Sequence, residues 1–92
     1  MAKTIWKFQL SITNTQNVLM PEGAQILTAQ IQNGCDLCLW ALVDSTAPKQ
    51  RREIEIIGTG NFVTDESRRY ISTVQGKGLE NQSLVWHVFE RE

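Results

Sequence analysis

Histidine, tyrosine, cysteine and proline are all scarce in this sequence, and each scarcity excludes something. The only histidine, His87, cannot supply the histidine-rich ligand set of a zinc site. It also lacks a nucleophile or carboxylate at a fixed spacing, so no local motif supports acid–base or nucleophilic catalysis. The two cysteines, Cys35 and Cys38, sit together inside an apolar run, which points to a reducing cytoplasm and away from a secreted disulfide scaffold. Their C-x-x-C spelling falls on a strand pattern, where residues three apart face opposite ways. We therefore expect two buried structural cysteines, no metal and no cofactor. Neither sign of charge dominates: nine basic and ten acidic residues give a net charge of −1. That balance gives no general pull toward DNA, RNA or an anionic membrane. The N-terminus shows no apolar targeting segment, and the longest apolar run is too short to span a bilayer.

That run, Cys35 to Asp44, is what the remainder of the chain is organised around. Bounded by Gly34 and by Ser45 to Pro48, it has the length and composition of a central strand buried on both faces. Period-two alternation flanks it. Thr4 to Ile12 places Trp6, Phe8, Leu10 and Ile12 on one face, and Ala24 to Gln32 places Leu27, Ala29 and Ile31 on one face. Asn33-Gly34 between two strand patterns signals a tight hairpin, because both central residues of a type I′ turn need positive φ. Val18 to Pro21 is a short extended piece after a polar turn at Thr13 to Asn17. Arg51 to Ile57, Arg69 to Gln75 and Ser83 to Phe89 read as further strands. In the second of these, Tyr70, Ser72 and Val74 face opposite Ile71 and Thr73. Gly76-Lys77-Gly78, continued by Glu80 to Gln82, reads as a turn. Apolar residues on both faces of Ser83 to Phe89 suggest an internal strand or one covered by another subunit. With 41% apolar and 21% charged residues, the expectation is a single all-β domain over residues 1–92, an antiparallel barrel or sandwich of six to seven short strands.

Candidate ligand contacts are local. Arg51-Arg52 and Arg68-Arg69 each enter a strand, so one member of each pair can face a shared pocket. Guanidinium forks suit phosphate oxygens, and the neighbouring Tyr70 suits a purine face. Gly58-Thr59-Gly60 can offer backbone amides to an anion, although it lacks the longer phosphate-loop spelling and no helix follows it. Trp86 and His87 complete the set as a stacking wall and a polar contact. Each has a plainer reading: solvated strand ends balanced by Glu53, Glu55, Asp65 and Glu66, a glycine turn, core tryptophans and a packing histidine.

The segments Ile5-Trp6-Lys7, Met20-Pro21-Glu22-Gly23-Ala24, Leu39 to Asp44, Gly58-Thr59-Gly60, Tyr70 to Thr73 and Val85-Trp86-His87-Val88-Phe89-Glu90 together resemble a family of short proteins encoded by tailed bacteriophages and prophages. The resemblance spans nearly the whole chain and carries no catalytic residues. It implies a place in the cytoplasm of an infected bacterium. By analogy of size and character, the chain is similar to phage sponges that sequester host immune nucleotide signals, such as cyclic ADP-ribose isomers or cyclic oligonucleotides. The expected function is thus non-enzymatic binding of a small phosphate-containing nucleotide by a homo-oligomer, a dimer or higher. The alternative is a protein–protein inhibitor or structural accessory that acts through an apolar and tryptophan-rich surface. A nucleotide hydrolase is disfavoured, because the acidic residues are scattered and His87 stands alone.

Overall fold

The computed structural model describes residues 3–77 and 83–92. Within them the chain forms seven strands: β1 (Lys3–Gln9), β2 (Thr15–Pro21), β3 (Gln25–Gln32), β4 (Asp36–Asp44), β5 (Lys49–Gly58), β6 (Arg68–Lys77) and β7 (Ser83–Arg91). They make two antiparallel sheets, ordered β1-β4-β3 and β2-β5-β7-β6. The sheets pack face to face as a small sandwich, as the alternating patterns lead one to expect.

The apolar run is the central strand of the three-stranded sheet. Leu37, Leu39, Ala41 and Val43 point inward and are buried, against Met20, Ile54, Ile56, Val74 and Val88 of the other sheet. Each of these leucine, isoleucine, valine and methionine side chains contributes about 1.5–3 kcal/mol on leaving water. On its outer face Cys38 is buried while Trp40 and Leu42 are half-buried. Cys35 departs from the expectation: it is exposed in the turn before β4, and both thiols are free. Its place is set by the hairpin. The last pair is Gln32 with Asp36, Asn33 and Gly34 take φ of 56° and 80°, and the Cys35 amide returns to the Gln32 carbonyl at 3.3 Å. These positive φ values are the ones that a type I′ turn requires of its Asn-Gly pair.

Three assignments change. β1 ends at Gln9, and the chain crosses to the other sheet beyond Leu10, which leaves Ile12 exposed. Ile12 therefore does not share the core face with Trp6 and Phe8. β2 begins at Thr15, inside the expected polar turn, because the Gln16 side chain closes that turn by accepting from the Ser11 amide (3.0 Å) and donating to its carbonyl (2.6 Å). β6 runs on through Gly76 and Lys77, which the sequence suggested as a turn; the remainder of that turn, Gly78 to Gln82, lies outside the described residues. A Cβ at Gly76 would lie 2.9 Å from a Trp86 ring carbon, so glycine there admits the tryptophan onto the strand.

Two β-bulges matter most. In β3 the register shifts between Ile26 and Thr28, and in β6 between Tyr70 and Ser72. A bulge inserts one residue and reverses the facing of everything beyond it. Ile26 thereby joins Ala29 and Ile31 on the inner face, contrary to the strict alternation. Tyr70 pairs with Phe89, while Ser72 pairs with Val88 and Thr73 with His87. Tyr70 thus stands on the same outer face as Thr73, and Ser72 turns inward. There its hydroxyl accepts from the Ala29 amide at 3.0 Å and meets Thr28 Oγ1 at 3.2 Å, which joins the two sheets along one side. β7 lies between β5 and β6, the internal strand that its two apolar faces suggested.

Candidate functional site

The outer face of the four-stranded sheet gathers most of the unusual chemistry. Ile57 of β5, His87 and Phe89 of β7, and Tyr70 and Thr73 of β6 lie side by side there, as the register dictates. The loop after β5 folds back beside them. Gly60 takes φ of 93°, and the Asn61 amide donates to the Gly58 carbonyl at 3.1 Å, making a tight turn. The Thr59 amide donates to the Val85 carbonyl at 3.3 Å and pins the turn to β7. Between turn and sheet lies a cavity of about 220 Å³, lined by Gly58, Thr59, Gly60, Asn61, His87 and Phe89 among others. On the other side of the loop an open groove of about 440 Å³ is lined by Asn14, Thr15, Glu55, Asn61, Phe62 and Arg91. Phe62, at the border of this groove, is fully exposed.

A continuous chain of hydrogen-bonding groups crosses this face. Thr59 Oγ1 is 2.8 Å from His87 Nε2, His87 Nδ1 is 3.0 Å from Thr73 Oγ1, and Thr73 Oγ1 is 2.8 Å from Tyr70 Oη. Both imidazole nitrogens are therefore engaged, and the chain ends at a phenol that is 57% exposed. The Tyr70 ring meets Phe89 edge-on, with centroids 5.6 Å apart. On the far side of Phe89, Arg68 lies over the ring at 5.9 Å while its Nε donates to Glu55 at 2.7 Å. Arg91 joins the same cluster through Glu55 and Glu66.

The ten candidate ligand contacts separate into groups. Gly58, Thr59, Gly60, Tyr70 and His87 come together on the outer face, with Arg68 at its margin. Trp86 faces the opposite way, packed against the core. Arg52 also points inward: its Nε and Nη2 bind the Glu90 carboxylate and its Nη1 donates to the Ala24 carbonyl at 2.9 Å. Arg69 pairs with Glu92 at the sheet's edge, at 3.2 Å. Arg51 is exposed on the outer face, opposite Leu19 of β2. The arginine pairs therefore do not share one pocket, and three of the four arginines already hold a carboxylate. Thr59 and Asn61 likewise spend their amides within the protein.

Sequence reasoning missed Thr73, Phe89, Asn61 and Phe62. Phe62 had a legible signal, as a phenylalanine in a polar loop. Thr73 had none, because its place beside His87 and Tyr70 depends on the bulge. Among the described residues, no three His, Cys, Asp or Glu side chains converge as a metal site. No helix among them is long and apolar enough to cross a membrane.

No curated protein and no solved structure matches the chain. A family model does so over residues 1–92, and the chain accordingly belongs to the family described as Domain of unknown function (DUF7352).

Proposed function

We propose that this protein is a non-enzymatic binding module that holds a small phosphate-bearing nucleotide, intact, on the outer face of the four-stranded sheet. The observation that carries the proposal is the row Thr59–His87–Thr73–Tyr70 beside an open cavity. Its polar groups are aligned and linked across the outer face. Tyr70 and Phe89 supply aromatic surface for a base, while Arg68, held by Glu55 and Thr64, braces the margin of the face. In this role the chain would act in the cytoplasm of an infected bacterium as a sponge for a host nucleotide signal. Self-association into a dimer or higher oligomer belongs to the same proposal. It is supported by the outer face of the three-stranded sheet, where exposed Ile5 and Leu27 flank half-buried Trp40 and Leu42.

Isothermal titration against cyclic oligonucleotides and ADP-ribose-type compounds tests the ligand class. A true ligand should bind below micromolar (tighter than about −8 kcal/mol) and be recovered unchanged after heat denaturation. Tyr70→Ala should weaken it by about 1–3 kcal/mol if a base stacks there. No binding across the panel would refute the nucleotide proposal. Fully exposed Phe62 beside exposed Val63 favours a second reading, in which this loop tip anchors a protein partner.

A further inference from the structure

We infer that the free edge of β1 docks a second copy of this chain, whose own β1 runs antiparallel to it across a two-fold axis at Trp6. This rests on the self-association in the proposed function and names its contact; ligand binding does not enter it. The backbone bonds of β1 show what the edge offers. The Leu10 amide donates to the Leu37 carbonyl at 2.8 Å, in the register that joins β1 to β4. Hydrogen-bonded pairs alternate along an antiparallel ladder, so Thr4, Trp6 and Phe8 spend their backbone groups on β4. Those of Lys3, Ile5, Lys7 and Gln9 point the other way, out from the sheet. None of these backbone groups has a hydrogen-bond partner among the described residues. Such a row is a template for another strand.

The other three edges are less fit. β3 and β6 are each bulged, and Ser72 ties them together. In β2 the Ile56 amide donates to the Asn14 carbonyl at 3.0 Å, which by the same alternation turns Thr15, Asn17, Leu19 and Pro21 outward. Pro21 has no N–H to give, and the Thr15 carbonyl already accepts from the Thr13 hydroxyl at 3.3 Å. The layers also leave room beside β1. Three strands stand opposite four, and with the layers tied along β3 and β6 the shortfall is on the β1 side. Trp6 and Phe8, on the inner face at this edge, are only partly buried, and Lys49 Nζ stands 6.0 Å over the Trp6 ring. A further strand there covers their remaining apolar surface.

Charge selects the occupant and its register. A two-fold axis perpendicular to the sheet pairs residues of like facing, so it must pass through a residue. Of the longer overlaps, an axis at Ile5 sets Lys3 against Lys7 of the second copy, and an axis at Lys7 sets the two Lys7 side chains together. Like charges directly opposite are unfavourable. An axis at Trp6 instead sets Lys7 against Ile5 and Lys3 against Gln9, and each of these pairs exchanges backbone bonds. The two Trp6 residues then form the closer, non-bonded pair on the inner face, where aromatic side chains gain most. The lysines do not guard the edge. Lys7 Nζ leans away from it to Gln32 Oε1 at 3.1 Å, and Lys3 lies opposite Asp44 of β4.

Sedimentation velocity of the full chain over a concentration series is the test, with three variants. Ile5 is exposed, so Ile5→Glu and Ile5→Lys leave the core untouched. In the proposed register each places a charge beside Lys7 of the second copy, twice by symmetry. The Ile5→Glu dimer should therefore be about tenfold or more tighter than the Ile5→Lys dimer. Lys7→Pro removes an outward N–H and no bond to β4, so it should abolish the dimer while circular dichroism keeps the β spectrum. If that variant does not fold, the Ile5 pair decides. Equal weakening by glutamate and lysine would show a dimer joined through the apolar outer face, and would overturn the β1 contact while self-association stands. A dimer undiminished in folded Lys7→Pro would overturn it likewise. A wild-type chain that stays monomeric throughout would remove both, leaving the nucleotide titration to be judged separately.

Discussion

Removing the Glu90 carboxylate should be among the most destabilising single changes in this protein. Glu90 and Arg52 face each other on the inner side of the four-stranded sheet, with only 10% and 14% of their side chains exposed. Arg52 donates two hydrogen bonds to the carboxylate and a third to the Ala24 carbonyl, in the turn that carries the chain into β3. Glu90→Ala takes away the counter-charge and leaves a guanidinium in a largely dry place with one of its three partners. Breaking a buried pair in this way costs about 3–5 kcal/mol. Domains are stable by roughly 0.05–0.15 kcal/mol per residue, or about 5–14 kcal/mol for one of this length. The variant would thus lose about a fifth or more of its stability, and could unfold outright at the low end. Urea titration followed by tryptophan fluorescence measures it, since Trp6 and Trp86 pack against the core. The double variant Arg52→Met with Glu90→Leu should recover most of the loss, because no charge is then left stranded. A Glu90→Ala cost below about 1 kcal/mol, or a double variant as unstable as the single, would refute the reasoning.

Ser72→Ala should cost about 1–3 kcal/mol in the same titration, because it strips the Ala29 amide of its acceptor in a buried place; Ser72→Thr, which keeps the hydroxyl, should cost less if the added methyl fits. Gly34→Val should cost about 1–3 kcal/mol, although a Cβ there meets nothing within 4 Å. The loss is a backbone one, from φ of +80°, so Gly34→Asn should restore much of it, and equal stability of the valine and asparagine variants would contradict this account.

How far the sequence discloses the molecule follows from the range over which each signal acts. Asn33-Gly34 needs only its own backbone preferences, and the hairpin formed where those residues stand. The central place of β4 follows from an apolar run that must find neighbours on both sides. The bulges had no such local mark: Ile26-Leu27-Thr28 and Tyr70-Ile71-Ser72 alternate like ordinary strand, and the inserted residue is decided by how β3 and β6 meet at Ser72. Every facing beyond them was therefore legible only from the other sheet. The arginine pairs were visible as clusters, but their partners were not. Arg52 holds Glu90 and Arg68 holds Glu55 across 38 and 13 residues of sequence, so charge that looks available in one dimension is neutralised in three. His87 was visible as a lone residue. Its connection through Thr73 to Tyr70 was not.

The strand order also fixes where the chain can be interrupted. β2 lies between β1 and β3 in sequence but sits in the opposite layer, where its only ladder is with β5. A break between Gln9 and Thr15 would part β1 from β4, and one anywhere between Pro21 and Lys49 would part β2 from β5. Breaks before β6 would divide β5 from β7. No connecting loop can therefore be opened without detaching strands that hydrogen-bond to each other. The chain has no separable half, and a fragment would keep unpaired strand edges in place of a core. Pieces of this protein should accordingly be more useful as complementing fragments, mixed to rebuild the sandwich, than as domains of their own.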